Sequence, residues 1–178
     1  MGELAEMSQM TERVITLSAA NEGITIRLAR APDVEQLLDI GEEVFADGHP
    51  ALVRGFERDK SRKYMEWLLT TSSAFCLVAE KDGLILGGLA GLILPDFFSP
   101  DVVGSEIFFG VRAQHRSIAL AHDMIRVFTQ VCFELGATTV RFNPSTDPKW
   151  SRYRAFLAKM GFVERAVTME YRPVSERN

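Results

Sequence analysis

The alternation of apolar and polar residues in Ile24–Arg30 predicts a strand. Pro32-Asp33 then opens a helix, since proline is tolerated in a first turn and acids suit the positive end of the helix dipole. Val34, Leu37, Leu38, Val44 and Phe45 form its apolar face, and Asp47-Gly48-His49-Pro50 ends it. A second helix is predicted over Arg58–Leu69, with Tyr64, Trp67 and Leu68 turned inward. Ala74–Ala79 is too uniformly apolar for a half-exposed strand, and Lys81-Asp82-Gly83 supplies the positive φ angles of a tight hairpin. Leu84–Leu94 returns as a strand, a loop carries Pro95 and Pro100, and Val102–Val111 follows as another. Their short connections make these three strands antiparallel.

Arg116–Leu135 repeats apolar residues at spacings of three and four: Ile118, Ala121, Ile125, Phe128, Cys132 and Leu135. Leu120, Met124, Val127 and Val131 add an adjacent stripe, so a long helix with a broad buried face is predicted, stopped by Gly136. Thr138–Phe142 is a short strand, and the strand–helix–strand crossover makes it parallel to Val102–Val111. A helix over Trp150–Met160, capped by Gly161, and a strand over Phe162–Arg172 complete the order β-α-α-β-β-β-α-β-α-β. The class is α/β on a mixed sheet, antiparallel early and parallel late. No repeat or linker interrupts residues 23–172, which are expected to form one domain. Residues 1–22 read as a flexible extension and residues 173–178 as a tail.

Composition excludes wholesale disorder: 47% of the 178 residues are hydrophobic and 25% charged. A net charge of −4 argues against nucleic acid as a partner. The charge is uneven, however. Residues 1–111 carry 9 Lys and Arg against 18 Asp and Glu, whereas residues 112–178 carry 11 against 6. Such a split would serve an anionic cofactor beside a cationic substrate, although on charge alone a chance split at this boundary explains it more simply. Cys76 and Cys132 lie far from any CxxC spacing and read as buried small hydrophobes in a reducing compartment. No basic region followed by an apolar stretch marks the first residues as a secretory signal, and the longest apolar run, Leu84–Leu94, is too short to span a bilayer. A cytoplasmic protein without membrane partners is expected. Three histidines and two cysteines, all scattered, provide no metal-ligand spacing. Gly87-Gly88-x-x-Gly91 lies within a strand rather than between a strand and a helix, so it is no dinucleotide fingerprint.

The informative stretch runs from Glu106 to Ala121, where a strand passes through a short turn into a helix N-terminus. Free N–H groups and the helix dipole favour a phosphate there, and the small residues Ser117, Ala119 and Ala121 allow close approach; the same small residues would also let the helix sit close to the sheet. Glu106 stands in an otherwise apolar strand, either as a buried base with a raised pKa or as a strand-edge carboxylate facing solvent or an Arg. His49 and His115 read as turn and loop residues. Glu42, Glu43 and Asp47 would either draw a cationic acceptor or form a solvated helix face.

This segment resembles motif A of the GCN5-related N-acetyltransferases, with Arg116-x-x-Ala119-x-Ala121 in place of Arg or Gln, two residues, Gly, one residue, Gly or Ala. Val111 stands five residues ahead of Arg116, as in that family. Ile26-Arg27-x-Ala29-x-x-Pro32-Asp33 is similar to its opening, and Phe156-Leu157-Ala158-Lys159-Met160-Gly161-Phe162 to its closing helix. The resemblance covers residues 23–172 and implies the acyl-CoA N-acyltransferase fold. It also implies transfer of an acetyl group from acetyl-CoA to a primary amine of a small molecule or peptide, by direct attack in a ternary complex. Phe109, Gly110 and Val111 would polarise the acyl carbonyl. Arg116, Ser117, Ile118, Ala119, Leu120 and Ala121 would hold the pyrophosphate. Glu106 would be the base. Two positions depart from the family: Leu157 stands where it often has Tyr, and Trp150 where it often has Asn. Tyr153, one turn earlier, is then the candidate acid. The same departures define the alternative, a non-catalytic module of this fold that binds CoA or a protein. A homodimer is left open.

Overall fold

A computed structural model of the chain describes residues 23–48, 55–143 and 150–165. The chain divides into two compact units, residues 1–143 and 144–178. In the first unit, β1 (Thr25–Leu28) leads through a 3-10 turn at Ala31–Asp33 into α1 (Val34–Gly48) and α2 (Arg58–Thr70). Then follow β2 (Ala74–Lys81), β3 (Leu84–Pro95), β4 (Val102–Val111), a 3-10 turn at Ala113–His115, α3 (Ile118–Glu134) and β5 (Thr139–Arg141). The strands form one sheet in the order β1-β2-β3-β4-β5, antiparallel except for the parallel β4–β5 pair. This is the mixed sheet expected from the sequence. The β2–β3 hairpin turns on Asp82 (φ 51°) and Gly83 (φ 80°), the positive-φ pair that matches the twist of the flanking strands.

Adjacent residues of a strand face opposite sides, and the glycines of β3 and β4 show which helix covers each side. A Cβ on Gly91 would lie 2.5 Å from the Phe128 ring, and one on Gly104 2.5 Å from Cys132 Sγ, so α3 presses against the sheet there. A Cβ on Gly110 would instead meet Ile40 and Val44 of α1, at 2.8 and 2.9 Å. Hence α3 covers one face and α1 the other. On the α1 face a core of Val34, Leu37, Leu38 and Ile40 joins Met65 and Leu68 of α2 with Cys76, Val78, Ile85 and Ala90 of the sheet. On the α3 face Leu120, Met124, Ile125, Val127, Phe128, Val131 and Cys132 are buried, each contributing about 1.5–3 kcal/mol if fully desolvated.

Two expectations of packing are corrected. In α2 the inward residues are Met65 and Leu68, whereas Tyr64 and Trp67 are 48% and 45% exposed and stack on each other at 5.4 Å. Ile118 does not join the buried stripe of α3; it is 78% exposed, at the first residue of the helix. Two free cysteines are buried as expected, and burial pushes both thiols up to about 12.

The second unit contains α4 (Trp150–Lys159), ended by Gly161 at φ 91°. Residues 162–165 carry no strand, and the remainder of the strand expected over Phe162–Arg172 lies outside the described residues, as do residues 1–22, His49 and the tail at 173–178. Among the described residues no helix is long and apolar enough to cross a membrane.

Candidate active site

The site is built on an irregularity in β4. Gly91 pairs with Glu106 and Ala90 with Phe108, leaving Ile107 as an extra residue in the strand. Such a bulge bends its strand and increases the local twist. β5 pairs with β4 only at Val103–Ser105. From the bulge onward, β4 therefore has an edge with no strand beside it among the described residues. One hydrogen bond fixes which peptide groups face that edge. The Arg112 N–H donates to Leu86 O at 2.8 Å. Antiparallel alternation then makes Gly110 and Gly88 the exchanging pair and turns the peptide groups of Phe109 and Val111 outward. The Val111 carbonyl is met there by Arg116 Nε at 3.0 Å.

Beyond β4 the chain reaches the α3 N-terminus. Ser117 is the N-cap, its Oγ accepting from Leu120 N–H at 3.1 Å and its carbonyl from Ala121 N–H at 3.1 Å. These two bonds satisfy the third and fourth donors of the helix, and the Ile118 and Ala119 N–H groups remain directed off its positive end. Ala119 is small enough for an anion to approach the backbone. Arg116 sits at the mouth of this turn and is ion-paired with Asp47 of α1.

Glu106 is buried at the start of the open edge. Its Oε2 accepts from Asn143 N–H at 3.1 Å, while Asn143 Nδ2 donates to Glu106 O at 3.1 Å and to Ser105 Oγ at 3.2 Å. Asn143 follows β5 and thus ties the two strands together where they diverge. Burial pushes the Glu106 carboxyl up to about 7, and the Asn143 N–H opposes that only in part. A carboxyl ionising near neutrality can take up and release protons at physiological pH. The strand-edge alternative, a carboxylate facing solvent or an Arg, does not hold among the described residues.

The acids of α1 are engaged in ion pairs. Glu43 binds Arg112 Nη1 and the Ala113 N–H, both at 3.0 Å, while Arg112 Nε donates to Ile85 O at 2.9 Å. Glu42 pairs with Arg58 and Asp47 with Arg116. Two acids of α1, Glu43 and Asp47, thus meet Arg112 and Arg116 across the β4–α3 turn. His115 lies half-buried in the 3-10 turn, its N–H donating to Arg112 O at 2.9 Å. Tyr153 belongs to the second unit, on α4, half-buried with its ring stacked on Phe156 at 6.4 Å. Leu157 is buried on the same helix, 7% exposed.

Sequence reasoning missed Arg112 and Asn143. The spacing Asp39, Glu43, Asp47 on one face of α1, against Arg112 and Arg116 after an apolar strand, was the available signal for the first. Nothing local marked Asn143, whose contacts depend on where β5 leaves β4.

The sequence profile of the acetyltransferase (GNAT) family matches residues 39–162, which include the bulged strand, the turn and α3. The chain belongs to that family. No curated protein sequence matches it. Among solved structures, it is similar to a possible acetyltransferase from Clostridium difficile 630, with TM-score 0.70, 13% identity, and 86% of this chain and 99% of the other covered. Ribosomal-protein-alanine N-acetyltransferase from Brucella melitensis biovar Abortus 2308 gives 0.63 at 19% identity, covering 84% and 98%. Aminoglycoside N-acetyltransferase AAC(6')-Iy in complex with CoA gives 0.67 at 19% identity, covering 89% and 99%. At these identities the shared property is the fold, the acyl-CoA N-acyltransferase fold. Family membership supports acetyltransferase activity.

Proposed function

We propose that the chain transfers an acetyl group from acetyl-CoA to a primary amine of a small molecule or peptide, by direct attack within a ternary complex. The observation that carries this reading is a buried carboxyl, Glu106, placed where β5 leaves the β4 edge, in the strand that leads to the α3 N-terminus. The CoA bound by AAC(6')-Iy supports a CoA thioester as the donor. The reading takes residues 23–172 as the catalytic domain and the cytoplasm as its compartment.

The roles divide by which donors remain available. Gly110 spends its peptide group on β3, so polarisation of the acyl carbonyl falls to the outward N–H groups of Phe109 and Val111. Leu120 and Ala121 spend theirs on Ser117. The pyrophosphate is accordingly held by Ile118 and Ala119 N–H, with Arg116 exchanging Asp47 for the anion and Ser117, Leu120 and Ala121 keeping the turn in shape. Ionised Glu106 removes a proton from the acceptor ammonium, directly or through one water. The amine nitrogen then forms a bond to the acyl carbon, and the charge developing on oxygen meets the two β4 N–H groups. The C–S bond breaks as the nitrogen sheds its second proton and the amide forms, and the departing thiolate takes a proton, for which Tyr153 is the candidate donor, its phenolate restored by the proton shed from nitrogen.

Titration calorimetry with CoA, followed by thiol release over a panel of amines, tests the reading. CoA binding together with amine-dependent thiol release is expected. CoA binding with no release from any amine would instead establish the non-catalytic module, which the buried Leu157 at the family's frequent Tyr position favours. Absence of CoA binding overturns both.

A further inference from the structure

The end of the β4–β5 ladder is closed by a residue that engages Glu106 twice. The two strands pair in parallel register as far as Ser105 and Arg141. Just beyond, Asn143 is exposed, yet its donors turn back onto β4. Its Nδ2 donates to Ser105 Oγ at 3.2 Å and to Glu106 O at 3.1 Å, while its main-chain N–H donates to Glu106 Oε2 at 3.1 Å. The amide thus holds the backbone of Glu106, and the N–H of the same residue holds its carboxyl. A main-chain N–H past the end of a ladder would otherwise have to be ordered against a side chain of the neighbouring strand, at an entropic cost. Two anchors on β4 remove most of that freedom beforehand.

Among the described residues no charge competes with this bond. Glu106 pairs with Gly91 of β3 and shares its face, the one that α3 covers with the Phe128 ring. The thiol of Cys132 lies over Gly104, two residues back along β4. Arg141, the charge that β5 carries, pairs with Asp96 at 3.2 Å. On α3, His122 pairs with Asp123, and Arg126 and Glu134 are exposed. The acids of α1 lie with that helix on the opposite face. Burial raises the Glu106 carboxyl to about 7, and the Asn143 N–H acts in the other sense by favouring the ionised form.

We propose that Asn143 is the positioning residue for the base: its amide clasps the end of β4 and thereby aims its own N–H at the Glu106 carboxylate. The assignment rests on the amine-acetylating reading above, in which Glu106 is the base. Asn143→Ala is compared with wild type in two ways, by the pH profile of kcat/KM for thiol release and by carbon-13 NMR titration of labelled glutamate carboxyls. Glu106→Gln assigns the Glu106 signal. Without the amide the N–H drifts and the ionised form loses its donor. The acid limb and the Glu106 titration should both move up by about one pH unit, the scale of one hydrogen bond to a charged group. At pH 6 the variant should then be about tenfold slower than wild type, with the two rates converging above pH 9. In the Glu106→Gln background the same substitution should leave the residual rate unchanged. A residue that only joined two strands would lower the rate by one factor at every pH. That result, or a Glu106 titration that stays in place, overturns the proposal. If thermal melts show Asn143→Ala to be unfolded, Ser105→Ala removes one anchor of the amide and should move the same titration upward by a smaller step; no movement refutes the proposal. If the wild type releases thiol with no amine, the acetyl-transfer reading fails separately, and the NMR titration still decides whether Asn143 holds the carboxyl.

Discussion

Glu106 is held by one hydrogen bond to its carboxylate and no cation among the described residues, in a strand where every neighbour but Ser105 is apolar or glycine. Its ionisation near 7, against 4.5 for an ordinary glutamate, has consequences for both rate and stability. As a base it must be ionised, so kcat/KM should rise with pH through about 7. Glu106→Gln should remove that limb and lower kcat by about 10²–10⁴-fold, with CoA affinity unchanged by calorimetry. Stability moves the other way. Between pH 4.5 and about 7 the folded state holds the proton that the unfolded chain has lost, so stability falls as pH rises across that window. The total is on the order of 3 kcal/mol. Urea unfolding at pH 5 and pH 8 should show this loss in the wild type and not in Glu106→Gln.

At the scale of elements, the turn between β4 and α3 is held in place from two sides. Ser117 caps α3, and Ser117→Ala should cost about 1 kcal/mol, read as a lower melting temperature. On the other side α1 clamps the turn through Glu43–Arg112 and Asp47–Arg116. The second pair is half-exposed and therefore weak, yet it occupies the guanidinium that the pyrophosphate needs. Asp47→Asn should then tighten CoA binding by a few-fold at low salt, up to the roughly 1 kcal/mol of an exposed pair, and by less at high salt. Titration calorimetry at two ionic strengths checks this. The glycines of β3 and β4 also belong here: Gly91→Ala would drive a methyl into Phe128 and should destabilise by about 1–3 kcal/mol, measured by urea unfolding.

Across the whole molecule, the fold was legible because hydrophobic period and turn chemistry agreed along most of the chain. The Asp82-Gly83 hairpin, the double stripe of α3 and the crossover to β5 each specify their own geometry from local residues. The surface rings of α2 were not legible, because period alone does not say which of two apolar stripes, Tyr64 and Trp67 or Met65 and Leu68, meets the core. In the site, the turn and Glu106 stood out by residue type and order. The bulge at Ile107, the Asn143 bonds and the pairing of α1 acids did not, since each depends on contacts between residues far apart in sequence. The uneven charge shows the same division. Composition indicates that an acidic and a basic half exist; the structure adds that two acids of the first, Glu43 and Asp47, pair with Arg112 and Arg116 at the turn.

The central claim, acetyl transfer with Glu106 as base, is tested most directly by one pH–rate measurement. Thiol release from acetyl-CoA is followed with a saturating amine from pH 5.5 to 9, in wild type and Glu106→Gln proteins that bind CoA equally. The account predicts a wild-type rate that climbs through an ionisation near 7 and a variant that is slow and flat across the range. A Glu106→Gln protein that releases thiol at the wild-type rate, with the same pH dependence, would contradict it.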